Sequence, residues 1–183
     1  MLSRRPIGGA FFIVVDYISP VKIGVVGVGA LGGYYGGLLS RAGREVHLLL
    51  RSDFEVVRDQ GLHIESSDRR ISSKPHVYDT PDSIGLCDLI LVCLKTTAND
   101  RYRELITPLV CEHSTILCLQ NGLGNCEQLA ALFGQEKIMG GLCFVCLNRI
   151  SPGVIKHQGF GKIVLGEFGR PAEKRASRIA ALM

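Results

Sequence analysis

An α/β fold, with a mostly parallel sheet covered by helices on both faces, is what the 183-residue sequence predicts. Three observations carry that expectation. Apolar, β-branched runs recur at intervals that leave room for a helix between them. A GxGxxG stretch joins the first run to the first helix, and the later strong runs end in polar residues suited to binding.

Residues 21–26 form an apolar run broken only by Lys22 near its start, the pattern of a strand buried on both faces. Gly27-Val28-Gly29-Ala30-Leu31-Gly32 follows, then a helix to about Ala42. Leu31, Tyr35, Leu38 and Ala42 recur at helical spacing, and Gly43 stops it. Residues 46–50 make the next buried strand, which ends at Arg51. Within the more polar stretch 52–80, a helical turn is expected over Phe54–Gln60 and short strands over Leu62–Glu65 and 74–78.

Residues 88–94 make a third strong strand, and 99–110 a helix with Leu105, Ile106 and Leu109 on one face. A fourth strand over 115–119, a short amphipathic helix over 126–133 closed by Gly134, and a further strand over 138–147 come next. The stretches 153–158 and 162–166 read as two shorter strands turning near Gly159 and Gly161, a hairpin that extends the edge of the sheet. Residues 171–183 begin a helix with Ala176, Ile179, Ala180 and Leu182 apolar.

Composition narrows the function classes. Apolar residues make up 46% and charged residues 21%, as in ordinary globular proteins. A net charge of +4 is too mild to argue for nucleic acid or membrane, and a few cations beside an anionic cofactor account for it. The seven cysteines are odd in number and lie mostly in apolar runs, the usage of reduced thiols in a cytoplasmic protein. Cys143-x-x-Cys146 has no second pair at metal spacing, so no metal site is expected. At the N-terminus the apolar run 7–15 is too short to span a bilayer, and no small-residue cleavage pattern follows it. Residues 1–20 therefore read as an N-terminal extension.

The glycine stretch has the context that gives GxGxxG its meaning. Gly27 allows a tight turn, Gly29 lets backbone approach a pyrophosphate, and Gly32 lets the helix pack close to the strand. The helix start offers free N–H groups and about half a positive charge to the anion. Gly32, Gly33, Gly36 and Gly37 each cost the helix about 1 kcal/mol relative to Ala, so packing or ligand contact must compensate. Residues 21–170 thus read as a dinucleotide-binding, Rossmann-type domain, with 171–183 the start of a truncated helix.

Three strand ends supply candidates. In place of the acid that reads a ribose 2′-hydroxyl, the second strand delivers Arg51, suited to a 2′-phosphate through a charge-assisted pair. Such a bond is worth ~1.5–3 kcal/mol, about 10–150-fold in affinity, and favours NADP over NAD. Asp53 lies close by and weakens the argument. Lys95 stands at the tip of the third strong strand, suited to a phosphate or a carboxylate, or merely solvated. Asn121 stands at the tip of the next, suited to ribose, carboxamide or substrate hydroxyl, or merely part of an Asn-Gly turn.

Taken together, these residues resemble the ketopantoate reductase (2-dehydropantoate 2-reductase) family. The stretch from Lys22 to Gly33 is similar to its opening strand and glycine loop, Leu50-Arg51 to its strand-end Arg, and Leu94-Lys95 to its nucleotide-facing Lys. Gln120-Asn121-Gly122-Leu123-Gly124 is similar to its Asn-Gly signature, and Pro152-Gly153 fits a turn before a hairpin. The resemblance implies NADPH-dependent reduction of a small 2-oxo acid, ketopantoate, to pantoate in pantothenate biosynthesis. It implies that Gly27, Val28, Gly29, Ala30, Leu31 and Gly32 bind pyrophosphate and that Lys95 contacts the cofactor. Asn121 lies where cofactor and substrate meet, as a cofactor contact and orienting catalytic group. Cys146 falls where the family has Ala beside the cofactor, so a backbone contact there tolerates Cys.

The family's second, all-helical domain, which holds the proton-donating Lys, has no counterpart in these 183 residues. The expectation is therefore a cofactor-binding half, inactive by itself, that homodimerises if at all only at full length. Two other readings stay open: an NADP-binding regulatory module, and another two-domain 2-oxo or hydroxy acid dehydrogenase.

Overall fold

The computed structural model describes residues 21–172 and 174–183, and the backbone of two N-terminal strands, β1 (Ser3–Ile7) and β2 (Ala10–Val14). These two pair antiparallel as a sheet of their own. The rest of the extension 1–20 lies outside the described residues.

From Lys22 onward one nine-stranded sheet organises the chain. Six consecutive strands, out to the edge at β7, run parallel: β3 (Lys22–Val26), β4 (Glu45–Leu49), β7 (His76–Tyr78), β8 (Cys87–Val92), β9 (Val110–Cys118) and β10 (Ile138–Ser151). Their spatial order is β7-β4-β3-β8-β9-β10. The chain works outward from β3 in one direction and then from β8 in the other, the doubly wound arrangement with its crevice at the β3/β8 switch point.

Both faces of the central strands are dry because their residues alternate between two cores. Ile23, Val25, Leu89, Leu91 and Leu117 face helix α1 (Ala30–Arg41). Val26, Ile90, Val92, Ile116 and Cys118 face α3 (Tyr102–Ile106) and α4 (Asn125–Phe133). That two-sided burial is why these runs are continuously apolar.

After α2 (Phe54–Gln60) the chain leaves the β4 side. It places β5 (Leu62–Glu65) and β6 (Arg70–Ser73) at the far end of the sheet, where β5 pairs parallel with β11 (Val154–Glu167). The sheet therefore curls round α1, which touches β3 and β4 as well as β5, β6, β10 and β11. This enclosure explains the glycine load of the helix. A Cβ on Gly36 would lie 2.9 Å from Leu48, one on Gly33 2.4 Å from Ile155, and one on Gly37 2.9 Å from Leu62. The lost helix propensity is offset by close approach to sheet on two sides. A last helix, α5 (Lys174–Leu182), packs on β11, where the buried side chain of Glu167 accepts from Arg175 and Arg170.

Three expectations are corrected. The hairpin does not turn at Gly159 and Gly161. Its turn is Pro152-Gly153, with Gly153 at φ +69°, and β10 pairs with β11 along their whole length. Gly159 and Gly161 sit inside β11 beside two register shifts, where Phe160 takes φ +64°, so turn-like residues mark bulges. Nor is the hairpin at the edge, since β5 and β6 lie beyond β11. The helix expected over 99–110 is broken: 3-10 turns at Thr96–Arg101 and Thr107–Leu109 flank a five-residue α3, with Pro108 in the second.

Candidate functional site

The carboxyl ends of β3, β4, β8 and β9 lie side by side, with Val26 paired to Leu49 on one side and to Val92 on the other, and Val92 to Cys118. Every chain segment leaving these ends carries one of the sequence-predicted residues.

β3 leads into Gly27 at φ +95°, a conformation that side chains resist. A Cβ there would also meet the Leu94 backbone N at 2.4 Å, so the crook is pressed against the segment leaving β8. At Gly32 a Cβ would meet the Gly27 carbonyl at 2.5 Å, which seats the first turn of α1 on the crook. Gly29 is different: nothing lies within 4 Å of where its Cβ would be. Two glycines are thus required by protein packing, and the third opens the loop toward solvent at the electropositive helix end. The first turn holds no acidic residue, so its N–H groups face no competing carboxylate there. This arrangement fits a diphosphate.

Arg51, two residues past β4, is exposed, and among the described residues its guanidinium has no ion pair or hydrogen bond. Asp53 is spent elsewhere. Its buried carboxylate accepts from Arg149 Nη1 at 2.5 Å, the Gly153 N–H at 3.2 Å and Ser52 Oγ at 2.9 Å. Burial alone would push its pKa up; the three donors outweigh that and hold it below the usual carboxylate value. Asp53 therefore clamps the hairpin turn onto the start of α2, and the acid that weakened the case for Arg51 is committed to structure.

Lys95 follows β8 and is exposed, with its ammonium unpaired among the described residues. Asn121 follows β9 and is also exposed; its carbonyl accepts from Asn125 Nδ2 at 3.1 Å, and its side chain has no partner among the described residues. Gly27 to Gly32, Arg51, Lys95 and Asn121 thus share one edge of the sheet.

Cys146 stands apart. Gly140 on β10 is level with Cys118, and Cys146 lies six residues further, about 20 Å along the strand. It points outward with Leu142 and Phe144, whereas Cys143 faces α1, so the two thiols of Cys143-x-x-Cys146 lie on opposite faces of the strand. Burial pushes the Cys87 thiol up to about 11 and raises those of Cys93 and Cys143, which leaves them as small apolar groups. Among the described residues no three His, Cys, Asp or Glu side chains are grouped to hold a metal ion. No described helix is long and apolar enough to cross a membrane.

Sequence reasoning missed the Asp53–Arg149 clamp and a set of side-chain amides, Asn99, Gln120 and Asn125, beneath the Asn121 loop. The clustering of Asn and Gln around two strand tips was the available signal. The clamp left none, because its partners are 96 residues apart.

Comparison with known proteins gives a consistent result. Residues 23–170 match the family described as ketopantoate reductase PanE/ApbA. A 2-dehydropantoate 2-reductase of Nostoc sp. is 43% identical over 148 residues, covering 80% of this chain and 46% of that protein. An uncharacterized oxidoreductase, YkpB of Bacillus subtilis, is 33% identical, covering 88% of this chain and 53% of that protein. The crystal structure of 2-dehydropantoate 2-reductase from Geobacter metallireducens aligns with a TM-score of 0.85 and 50% identity, over 88% of this chain and 54% of that one. The chain spans about half the length of the relatives it matches.

Proposed function

The chain belongs to the ketopantoate reductase PanE/ApbA family, a family of oxidoreductases, and from that membership we propose that it is the cofactor-binding half of an NADPH-dependent 2-dehydropantoate 2-reductase. The observation that carries the proposal is the shared strand edge, where a glycine crook open at Gly29 lies between Arg51 and Lys95, both unpaired among the described residues.

A bound NADPH supplies the hydride that reduces a 2-oxo group. In this reading the backbone from Gly27 through Val28, Gly29, Ala30 and Leu31 to Gly32 cups the diphosphate, whose charge the start of α1 stabilises. Arg51 grips the 2′-phosphate in a pair that Asp53 does not contest, being held by Arg149. Lys95 adds positive charge beside the crook, since Gly27 is pressed against the Cys93-Leu94 backbone just before it. Asn121 orients the nicotinamide end and the substrate. Holding reactants in register supplies much of the rate, and a proton donor typically adds ~10²–10⁴-fold. We assign that donor to the half of the family outside this stretch. The substrate is a 2-oxo acid, ketopantoate, reduced for pantothenate synthesis in the cytoplasm, where reduced thiols such as these persist.

Calorimetry on the purified chain is expected to show NADPH binding, weakened in Lys95→Ala, with only slow loss of NADPH when ketopantoate is added. Absence of binding at millimolar NADPH overturns the proposal. Steady turnover with ketopantoate would instead overturn the location given to the proton donor.

A further inference from the structure

The segments bearing Lys95 and Asn121 are joined by more than their neighbouring strands. Gly122, at φ +106°, would place a Cβ 3.1 Å from the Thr96 methyl, so the two loops touch. Beneath that contact lies Asn125, the first residue of α4, 3% exposed. Its Nδ2 donates to the carbonyls of Asn121, at 3.1 Å, and Gly122, at 3.2 Å, and its Oδ1 accepts from Asn99 Nδ2 at 2.8 Å. Asn99 sits on the 3-10 turn that follows Lys95; it also donates to Gln128 Oε1 at 3.1 Å and accepts from Gln120 Nε2 at 3.0 Å. Gln120 Oε1 in turn accepts from the hydroxyl of the buried Tyr102 at 2.5 Å.

We propose that this relay, Tyr102–Gln120–Asn99–Asn125, is a positioning device that fixes Asn121 against Lys95 and so presets the nicotinamide end of the site. The proposal rests on the reading of Asn121 as a cofactor-side residue. Gly122 and Gly124 both have positive φ, at +106° and +82°, so the Asn121 loop gets little rigidity from its own backbone. Side-chain bonds to its carbonyls supply it. The relay residues act through the backbone of Asn121, and an interconnected amide network of this kind holds a single arrangement because loss of one member leaves buried partners unsatisfied.

The test separates the two ends of the cofactor. NADPH carries the nicotinamide; adenosine 2′,5′-bisphosphate carries the adenosine with its 2′- and 5′-phosphates and lacks the nicotinamide half. In Asn125→Asp a carboxylate faces two carbonyls, and NADPH affinity is expected to fall about tenfold while bisphosphate affinity stays within about twofold, the same split as in Asn121→Ala. Asn99→Leu cuts the relay at its middle on a half-buried turn and is expected to give the same split if Asn125→Asp does not fold. Unchanged NADPH affinity in the relay variants, with Asn121→Ala weakened, overturns the relay and leaves the function standing. Parallel loss of both ligands also overturns it, since that is the mark of a general structural role. If Asn121→Ala itself binds NADPH as wild type does, the role given to Asn121 fails and takes the relay with it.

Discussion

Replacing Gly29 and Gly32 separately by Ala separates ligand contact from packing within a single loop. At Gly32 the added methyl meets the Gly27 carbonyl at 2.5 Å and Cys93 Cβ at 3.2 Å, with backbone on one side and a buried side chain on the other. Overpacking of this kind costs ~1–3 kcal/mol, against which the better helix propensity of Ala returns about 1 kcal/mol. The net loss of up to ~2 kcal/mol corresponds to a Tm lowered by roughly 4–8 °C in a chain of this size. At Gly29 the methyl meets no protein atom within 4 Å, and φ is −89°, so the fold should be nearly indifferent, within ~0.5 kcal/mol. In the proposed function the same methyl stands where the diphosphate approaches. Losing one charge-assisted backbone contact costs ~1.5–3 kcal/mol, which is about 10–150-fold in NADPH affinity. Thermal unfolding and NADPH calorimetry on both variants provide the two readouts. A Gly29→Ala protein that binds NADPH like wild type, or that melts as early as Gly32→Ala, refutes the division of labour.

Three further outcomes follow from the packing and charges. Asp53→Ala leaves the buried Gly153 N–H without its acceptor while the part-exposed Arg149 turns to water, so a loss of ~1–3 kcal/mol is expected by denaturant titration; no loss would show that the clamp is idle. Because Asp53 titrates below its ordinary value, its stabilisation is complete above about pH 4–5 and is lost as pH falls through the folded-state pKa; Asp53→Asn should flatten that acid limb, and an unchanged limb would contradict it. His47 is lowered, chiefly by burial against an opposing bond to Glu45, so its folded form resists protonation. Stability is then highest above the unfolded value near 6.5 and declines as pH falls below it; His47→Gln should lose less Tm than wild type between pH 7.5 and pH 5.5, and an equal loss would remove His47 as the cause.

What could be read from the sequence was what short-range pattern encodes. The β3 run, the glycine crook, α1 with its stop at Gly43 and the four strand tips are each written within about a dozen residues. The path of β5 and β6 to the far end of the sheet is not, because it is decided by pairing between Leu62–Glu65 and a strand some 90 residues later. Gly159 and Gly161 misled for a related reason: a glycine in a bulge and one in a turn look alike until the partner strand is known. The helix expected over 99–110 failed on a signal that was present, Pro108. The helix glycines were legible as a cost, and only the curled sheet shows the packing that offsets it. Among the candidate site residues, Arg51, Lys95 and Asn121 are legible because each follows a strong strand. The commitment of Asp53 to Arg149 could not be found from sequence, since its partner lies on another element.

The central claim is that this edge of the sheet holds NADP through its crook and its Arg. Side-by-side calorimetric titration with NADPH and NADH, for wild type and Arg51→Ala, tests it most directly. Wild type should prefer NADPH by about 10–150-fold, and the variant should lose that preference by weakening NADPH alone. Equal weakening of both coenzymes, an unchanged preference, or no binding of either to well-folded protein would contradict the account.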